Sequence, residues 1–448
     1  MKINERFIQE LQDKIDIEQV ISSHINLKRR GKNLVGLCPF HNEKSPSFSV
    51  TPSKQMYYCF GCGVCSISCP KKIIELKLND RGFYTPNITN PDLCVECGLC
   101  TDNCSFLSKE LASQSTDIKS WGAWSSDNLV RRKASSGGVG FEIASLLIEK
   151  GYKVCGVEYN IDNQRPEHYI ATNKIELIRS IGSKYLQSYT VNGLSQINKT
   201  DKYLVTGTPC QIDSFRRYIK RLKIEDNFVL MDFFCHSVPS YLAWKHYMKL
   251  VEEKVGKITY ASWRNKFTGW HDSWAISMDG VNTNEPVNWH DSYNLLIKGK
   301  KGFYNSRLSQ GDIFYNLFLG DFCCGRQCVK NCKFKYDKSS ADIRIGDAWG
   351  RTYEKDDVGV STLISFTEKG KLIVNSLREN KRCILEEFPF EQIAEGQMKK
   401  NAGEASLSWL AWMMLKSEYS FSEASWKFLV RVNSIVGKIV KRLNVIRF

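Results

Sequence analysis

The sequence predicts an α/β protein: one domain built on a parallel sheet, preceded by a compact two-cluster metal module and a small zinc-ribbon-like segment. Three observations carry this reading. Nine of the 17 cysteines lie between Cys38 and Cys104. Beyond residue 120, strand-like runs end in glycine- or cysteine-bearing turns that lead into helices, the pattern of an open parallel sheet with its functional loops at strand carboxyl ends. A chain of 448 residues is too long for one small core and suggests roughly two to four domains.

The first segment, residues 1–62, opens with a helical pattern over 4–22, where Phe7, Leu11, Ile15, Val20 and Ile21 recur between charges. A basic stretch, Lys28-Arg29-Arg30-Gly31-Lys32, follows, and then Cys38-Pro39-Phe40-His41. Short strands are expected at Ser47–Val50 and Gln55–Cys59, the second delivering Cys59-Phe60-Gly61-Cys62. C-x2-H and C-x2-C on two turns suit tetrahedral zinc, so Cys38, His41, Cys59 and Cys62 form a candidate zinc site.

The second segment, residues 59–107, uses two of those cysteines again. Cys59-x2-Cys62-x2-Cys65-x3-Cys69-Pro70 is one run, and Cys94-x2-Cys97-x2-Cys100-x3-Cys104 is another. In such ferredoxin-type runs the first three cysteines bind one cubane and the fourth binds the other. That rule assigns Cys59, Cys62, Cys65 and Cys104 to one [4Fe-4S] cluster, and Cys69, Cys94, Cys97 and Cys100 to a second. Ser105 stands where a proline usually follows the second run. Zinc and the first cluster therefore compete for Cys59 and Cys62. The complete iron–sulfur frame on both sides of that pair favours iron.

A polar connector, Ser108 to Ser120, precedes the α/β region. Ser135-Ser136-Gly137-Gly138 leads into a helix, Val139 to Lys150, and a strand, Lys153–Glu158; such a turn at a helix N-terminus is an anion site, although similar turns also serve packing alone. A second strand, Lys202–Thr206, ends in Gly207-Thr208-Pro209-Cys210-Gln211, and a third, Phe228–Phe234, ends in Cys235-His236. Cys323, Cys324, Cys328 and Cys332 are grouped further on. Cys210, Cys235, Cys328 and Cys332 are candidates for a further cluster; the other reading is buried structural thiols. Cys155 and Cys383 read as core residues, His236 as a hydrogen-bonded structural histidine rather than a proton donor, and Asp342 and Asp347 as an exposed face of an alternating strand. The chain shows no phosphate-binding P-loop, no G-x-G-x-x-G and no Ser-His-Asp arrangement.

Two resemblances follow from these residues. "GLCPFHNEKSPSFSV" with "YYCFGCG" resembles the CHC2-type zinc-binding domain at the N-terminus of bacterial DNA primases, up to about Gly63. It implies single-stranded DNA as a partner, with Arg29, Arg30, Lys32, Phe40, Phe48, Tyr57 and Tyr58 as contacts; the acidic catalytic domain of that family has no counterpart downstream. "SSGGV", "IGSKYLQS", "TGTPCQI", "FCHSVPS", "NKFTGW", "ADIRIGDAWG" and "GVSTLI" together resemble the beta subunit of coenzyme F-420 hydrogenases and dehydrogenases, over about residues 59–400. This resemblance implies a flavin-type α/β domain at 120–400 binding FAD near Ser136, Gly137, Gly138, Lys184, Tyr185 and Gln187. It also implies electron transfer with a redox partner protein or a small-molecule carrier. Relatives of that type usually show C-x2-C where this chain has Cys328-x3-Cys332. "CxGCG" is common to both families, so a fusion between them would fall there.

The net charge of +15 and pI near 9.0 favour anionic partners without choosing among them. The N-terminus has no secretory apolar region and no apolar run approaches the ~20 residues of a membrane span; Leu407 to Leu415 is too short and contains Ser408. A cytoplasmic oxidoreductase is the resulting expectation, with a nucleic-acid-binding protein as its rival. The last segment, 401–448, reads as helical. From 426 it carries Phe428, Val432, Ile435, Val436, Ile439, Leu443 and Ile446 on one face, beside Lys427, Arg431, Lys438 and Arg442. Such a helix packs on its own domain, docks on a partner or lies on an anionic membrane.

Overall fold

The computed structural model describes residues 61–115, 117–266, 268–282 and 303–445, together with the backbone of three short strands at Lys28–Arg30, Asn33–Gly36 and Phe48–Val50. Those three strands form an antiparallel sheet. The expected strand ending at Val50 is therefore present, starting at Phe48. The expected helix over 4–22, the strand over 55–59, and Cys38, His41 and Cys59 lie outside the described residues.

An eight-stranded mixed sheet organises the main domain. Its strands are β1 (Lys119–Ser125), β2 (Lys153–Asn160), β3 (Arg165–Ala171), β4 (Tyr203–Thr206), β5 (Phe228–Phe233), β6 (Ile343–Asp347), β7 (Ser361–Ser365) and β8 (Cys383–Glu387). The spatial order is β8-β1-β7-β6-β5-β4-β2-β3. β6, β5, β4 and β2 pair in parallel; β3 pairs antiparallel on one side, and on the other every pairing through β7, β1 and β8 is antiparallel, so that β1 points the same way as the parallel strands. The parallel sheet expected from sequence is thus the middle of a mixed one. β2 turns straight back into β3 after a short loop, and a hairpin makes neighbours antiparallel.

Alternate residues of the middle strands serve two cores. Leu204, Val229 and Ile343 face helix α1 (Val139–Glu149), while Tyr203, Val205, Phe228 and Leu230 face helix α2 (Pro209–Leu222). Cover on both faces corrects the reading of Asp342 and Asp347 as an exposed strand face. Asp342 is buried, pairs with Arg216 at 2.9 Å and accepts the Leu230 N–H at 2.8 Å. Asp347 is bound by the fully buried Arg264 at 2.9 Å. Between them Arg344 pairs with Asp232, both side chains at zero exposure. A buried charge persists only when paired and hydrogen-bonded, so the polar positions of β6 mark ion pairs rather than solvent. Cys155 and Cys383 are buried, as expected.

A second core forms around helix α3 (Tyr241–Val255), with Trp244, Trp263, Phe314 and Trp426. A three-stranded antiparallel sheet, Ile258–Ser262, Ala275–Gly280 and Tyr304–Arg307, packs on it. Helices α4 (Ser408–Lys416) and α5 (Glu423–Val445) close the chain. α5 does pack on its own domain, but through Trp426 and Leu429; Phe428, Ile435 and Ile439 of the sequence-predicted apolar face are exposed. Among the described residues no helix is long and apolar enough to cross a membrane.

Candidate functional site

The two cysteine runs fold as a repeat. Each places its third cysteine in a short helix, Val64–Ser68 and Leu99–Asp102, entered through a left-handed glycine, Gly63 (φ 77°) and Gly98 (φ 74°). A hairpin of Ile74–Leu78 with Tyr84–Ile88 lies between the runs, and Asn103 Nδ2 donates to Ser68 Oγ at 2.9 Å across the repeat. The module is pressed against the main domain. A Cβ on Gly63 would sit 1.8 Å from Thr190 Oγ1, which itself donates to the Cys62 carbonyl at 3.0 Å.

Helix α2 is the platform. Ser214 Oγ accepts from the Ser105 N–H at 3.0 Å and from the Cys62 thiol at 3.4 Å. Asp213 accepts the Ala112 N–H at 2.7 Å. The first bond explains Ser105, since a proline there would have no N–H to give.

Electrostatic coupling reports which thiols are neighbours. Burial, then Cys104, pushes the Cys62 thiol up to about 11. Cys100 is raised by burial, with Cys69 and Cys94 contributing. Cys104 thus lies near Cys62, and Cys69 and Cys94 near Cys100. The further group is also brought together. Cys210 is raised by burial and then by Cys235, Cys328 and Cys62. Burial lifts Cys235 to about 11 with Cys332 adding to it, and Cys328 is raised by burial, Cys235 and Cys332. Buried neutral thiols need no cation. Four cysteines converging, Cys210 and Cys328 buried and Cys235 and Cys332 partly so, are nevertheless the donor set that a cubane takes. Cys324 neighbours Cys328 as well, but its Sγ also lies 3.0 Å from Ser237 Oγ and 3.6 Å from Asp321 Oδ1.

Beside this group, at the carboxyl ends of β4, β5 and β6, a cavity of about 470 Å³ opens. The N-terminal ends of α1 and α2 meet it through Ser136, Gly138, Thr208 and Gln211, and Cys235 and His236 form part of its wall. Exposed N–H groups and the helix dipole make both ends receptive to anions. Lys184 and Tyr185 also line it. The half-buried Lys184 donates its amine to the carbonyls of Arg179 and Ile181, and burial lowers it to about 7. Tyr185 stacks on Trp274. Gly137 and Gln187 do not reach the cavity wall. The Gly137 N–H binds Ser361 Oγ at 3.0 Å, and Gln187 spans the Tyr84 N–H at 2.7 Å and the Tyr84 and Gly61 carbonyls, so it clasps the cysteine module instead.

Matches to known families coincide with these parts. Residues 120–195 match the N-terminal model, and residues 200–389 the C-terminal model, of the coenzyme F420 hydrogenase/dehydrogenase beta subunit. The chain thus resembles both halves of that subunit. Residues 58–107 match a 4Fe-4S dicluster domain and residues 3–69 a CHC2 zinc finger, so the two models overlap on the first cysteine run. The DNA primase of Synechocystis is 57% identical over 63 residues, and that of Halalkalibacterium halodurans 52% over 62. In each case this is 14% of this chain and 10% of the primase, so the chain spans about a tenth of these relatives. A structure of the F420-reducing [NiFe] hydrogenase complex from Methanosarcina barkeri aligns with 72% of this chain and 89% of that one, at 14% identity and a TM-score of 0.40.

Arg264, Lys266 and Asp347 brace the site; the sequence by itself singles out neither Arg264 nor Lys266, and in it Asp347 reads as part of an exposed strand face. Arg264 donates to both Asp347 oxygens at 2.9 and 3.1 Å, to Ser273 Oγ at 2.7 Å and to Tyr185 OH at 3.1 Å. Burial opposes its charge, but Asp347 and Tyr185 outweigh that and keep it protonated. Lys266 donates to the carbonyls of Arg131, Ser136 and Val358 at 2.6–2.7 Å, tying down the glycine turn before α1. The motif "NKFTGW" contained Lys266, but its role needs the fold that brings residues 131–136 and 358 to it. His236 is hydrogen-bonded, as expected, through Nε2 to Asp321 at 2.9 Å, and it also faces the cavity. Burial raises the Asp321 carboxyl, but His236 outweighs it and holds the group below its usual range. His236, Asp321 and Cys324 place ligand-type atoms within 4.8 Å of one another.

Proposed function

We propose that this chain is an iron–sulfur flavoprotein oxidoreductase that moves electrons between cysteine-bound [4Fe-4S] clusters and a substrate held in the cavity. One observation carries the reading: the thiols form a series from surface to cavity. Cys97 is exposed, and Cys62 is buried beside Cys104. Cys210 is coupled to Cys62 on one side and to Cys235 and Cys328 on the other. Cys235 lines the cavity itself. Cys59, Cys62, Cys65 and Cys104 would hold an inner cluster, Cys69, Cys94, Cys97 and Cys100 an outer one, and Cys210, Cys235, Cys328 and Cys332 a third.

The donors around the cavity fit FAD. The amide ends of α1 and α2 and the Lys184 amine suit its diphosphate, while Tyr185 and Trp274 offer aromatic faces. Ser136, Gly138, Lys184 and Tyr185 would contact it, with Gly137 and Gln187 supporting from behind. When bound, FAD supplies the conversion between single electrons and an electron pair. The remaining electrons come from or go to a redox partner protein or small-molecule carrier. The test is anaerobic reconstitution followed by iron analysis and chromatography of acid-released flavin. Failure to retain any flavin after incubation with FAD would remove this mechanism.

A second reading concerns the N-terminal segment alone, favoured by its 57% identity to a primase over 63 residues. It would bind single-stranded DNA through Arg29, Arg30, Lys32, Phe40, Phe48, Tyr57 and Tyr58, with affinity falling as salt rises. Binding that survives deletion of residues 1–58 would assign it elsewhere.

A further inference from the structure

Helix α5 has three faces, and the fold uses one of them. Trp426 and Leu429 are buried, and Asn433 Oδ1 accepts the Leu407 N–H at 2.9 Å. At about 100° per residue these three fall together, on the side opposite Phe428, Ile435 and Ile439. The latter are 69%, 51% and 51% exposed. A shallow apolar groove between α4 and α5, lined by Leu407, Leu410, Phe421, Phe428 and Val432, extends that surface. Flanking it run Arg431 and Lys438, both exposed, and Lys427, which is ion-paired with Glu423. From Ala424 to Phe448 the sequence has six basic residues and no acidic one.

We propose that this outward face lies on an anionic membrane surface, with Phe428, Ile435 and Ile439 entering the acyl boundary and the basic strip against the headgroups. Bulky apolar side chains beside a one-signed basic strip are what an interfacial helix requires, and each cation near an anionic leaflet adds to the attraction. The charge pattern argues against a second copy of the helix as occupant. Such a pairing would bring like charges together, and the one carboxylate of α5, Glu423, already pairs with Lys254 and Lys427. The surface is independent of the cavity and the cysteine runs.

The experiment is flotation of the full-length protein with vesicles of phosphatidylcholine, with or without phosphatidylglycerol. The wild type should float with the anionic vesicles and less as salt rises. Because the substituted side chains are exposed, F428S/I435S/I439S and R431E/K438E should melt like the wild type, yet each should partition at least about tenfold less. Equal flotation with both vesicle types, no flotation with either, or variants that float like the wild type would overturn the proposal. So would a concentration-dependent dimer in sedimentation velocity that the triple apolar substitution abolishes, because it would give the face to a second copy.

Discussion

Restoring the usual ferredoxin proline at position 105 should damage this protein. The Ser105 N–H donates to Ser214 Oγ at 3.0 Å, in a place where residue 105 has no exposure. Proline deletes that donor and leaves Ser214 Oγ short of one partner. A broken buried hydrogen bond of this kind costs about 1–3 kcal/mol. The Ser105 hydroxyl, by contrast, is buried with no hydrogen-bond partner, so Ser105→Ala removes an unsatisfied group while keeping the N–H. It should be neutral or slightly stabilising. The readout is hydrogen exchange of the peptide spanning residues 99–110 in metal-free protein, which does not depend on cluster assembly. A loss of 1–3 kcal/mol in local opening lowers protection by about 5- to 150-fold. Ser105→Pro should fall in that range, and Ser214→Ala toward its lower end. The reasoning is refuted if Ser105→Pro exchanges like the wild type, or if Ser105→Ala is as damaging as Ser105→Pro.

Three further outcomes are expected. In anaerobically expressed protein, Cys38→Ser with His41→Ala should leave iron unchanged and zinc near zero, because Cys62 is buried beside Cys104 and bonded to Ser214; loss of about one zinc with a gain of about four iron atoms would give Cys59 and Cys62 to zinc. Substituting Cys328 and Cys332 together by serine should remove about four iron atoms per chain, and unchanged iron in a folded variant would return them to structural thiols. Lys184 titrates near 7 in the fold against 10.5 unfolded. The unfolded chain therefore binds the extra proton between those values, and stability should rise with pH across that window by up to about 1.4 kcal/mol per unit. Lys184→Met should abolish that slope in chemical denaturation, and an identical slope in the variant would mean that the amine is not buried as described.

The metal module was legible in the chain because its chemistry is local. Cysteine spacing and the glycine before each short helix specify the ligand loops within about ten residues. The central strands were legible for a similar reason: apolar runs bounded by turns need no distant partner to be recognised. The order of the sheet was not, because antiparallel edges depend on where β1, β7 and β8 return from remote parts of the chain. Gln187 shows the limit within a single motif. It lies three residues from Lys184, which reaches the cavity, yet it bonds Tyr84 and Gly61 instead. In irregular backbone the motif does not fix where each side chain points; the neighbour packed against it does.

The α5 helix divides the two kinds of information most clearly. Its sequence determined an amphipathic helix with a basic flank, since periodicity alone sets which residues share a face. Which face meets the protein was settled only by tertiary packing. Trp426 fills the core around α3 and Asn433 caps the approach of Leu407, leaving the larger apolar stripe outside. The same holds for Asp342, Arg344 and Asp347. Alternation fixed that Asp342 and Arg344 share one side of the strand and Asp347 the other, but only the helices and the Arg216, Asp232 and Arg264 side chains brought from elsewhere decided that both sides are covered and the charges paired. A periodic pattern records a residue's direction relative to its neighbours in sequence, and burial depends on what the rest of the chain places there.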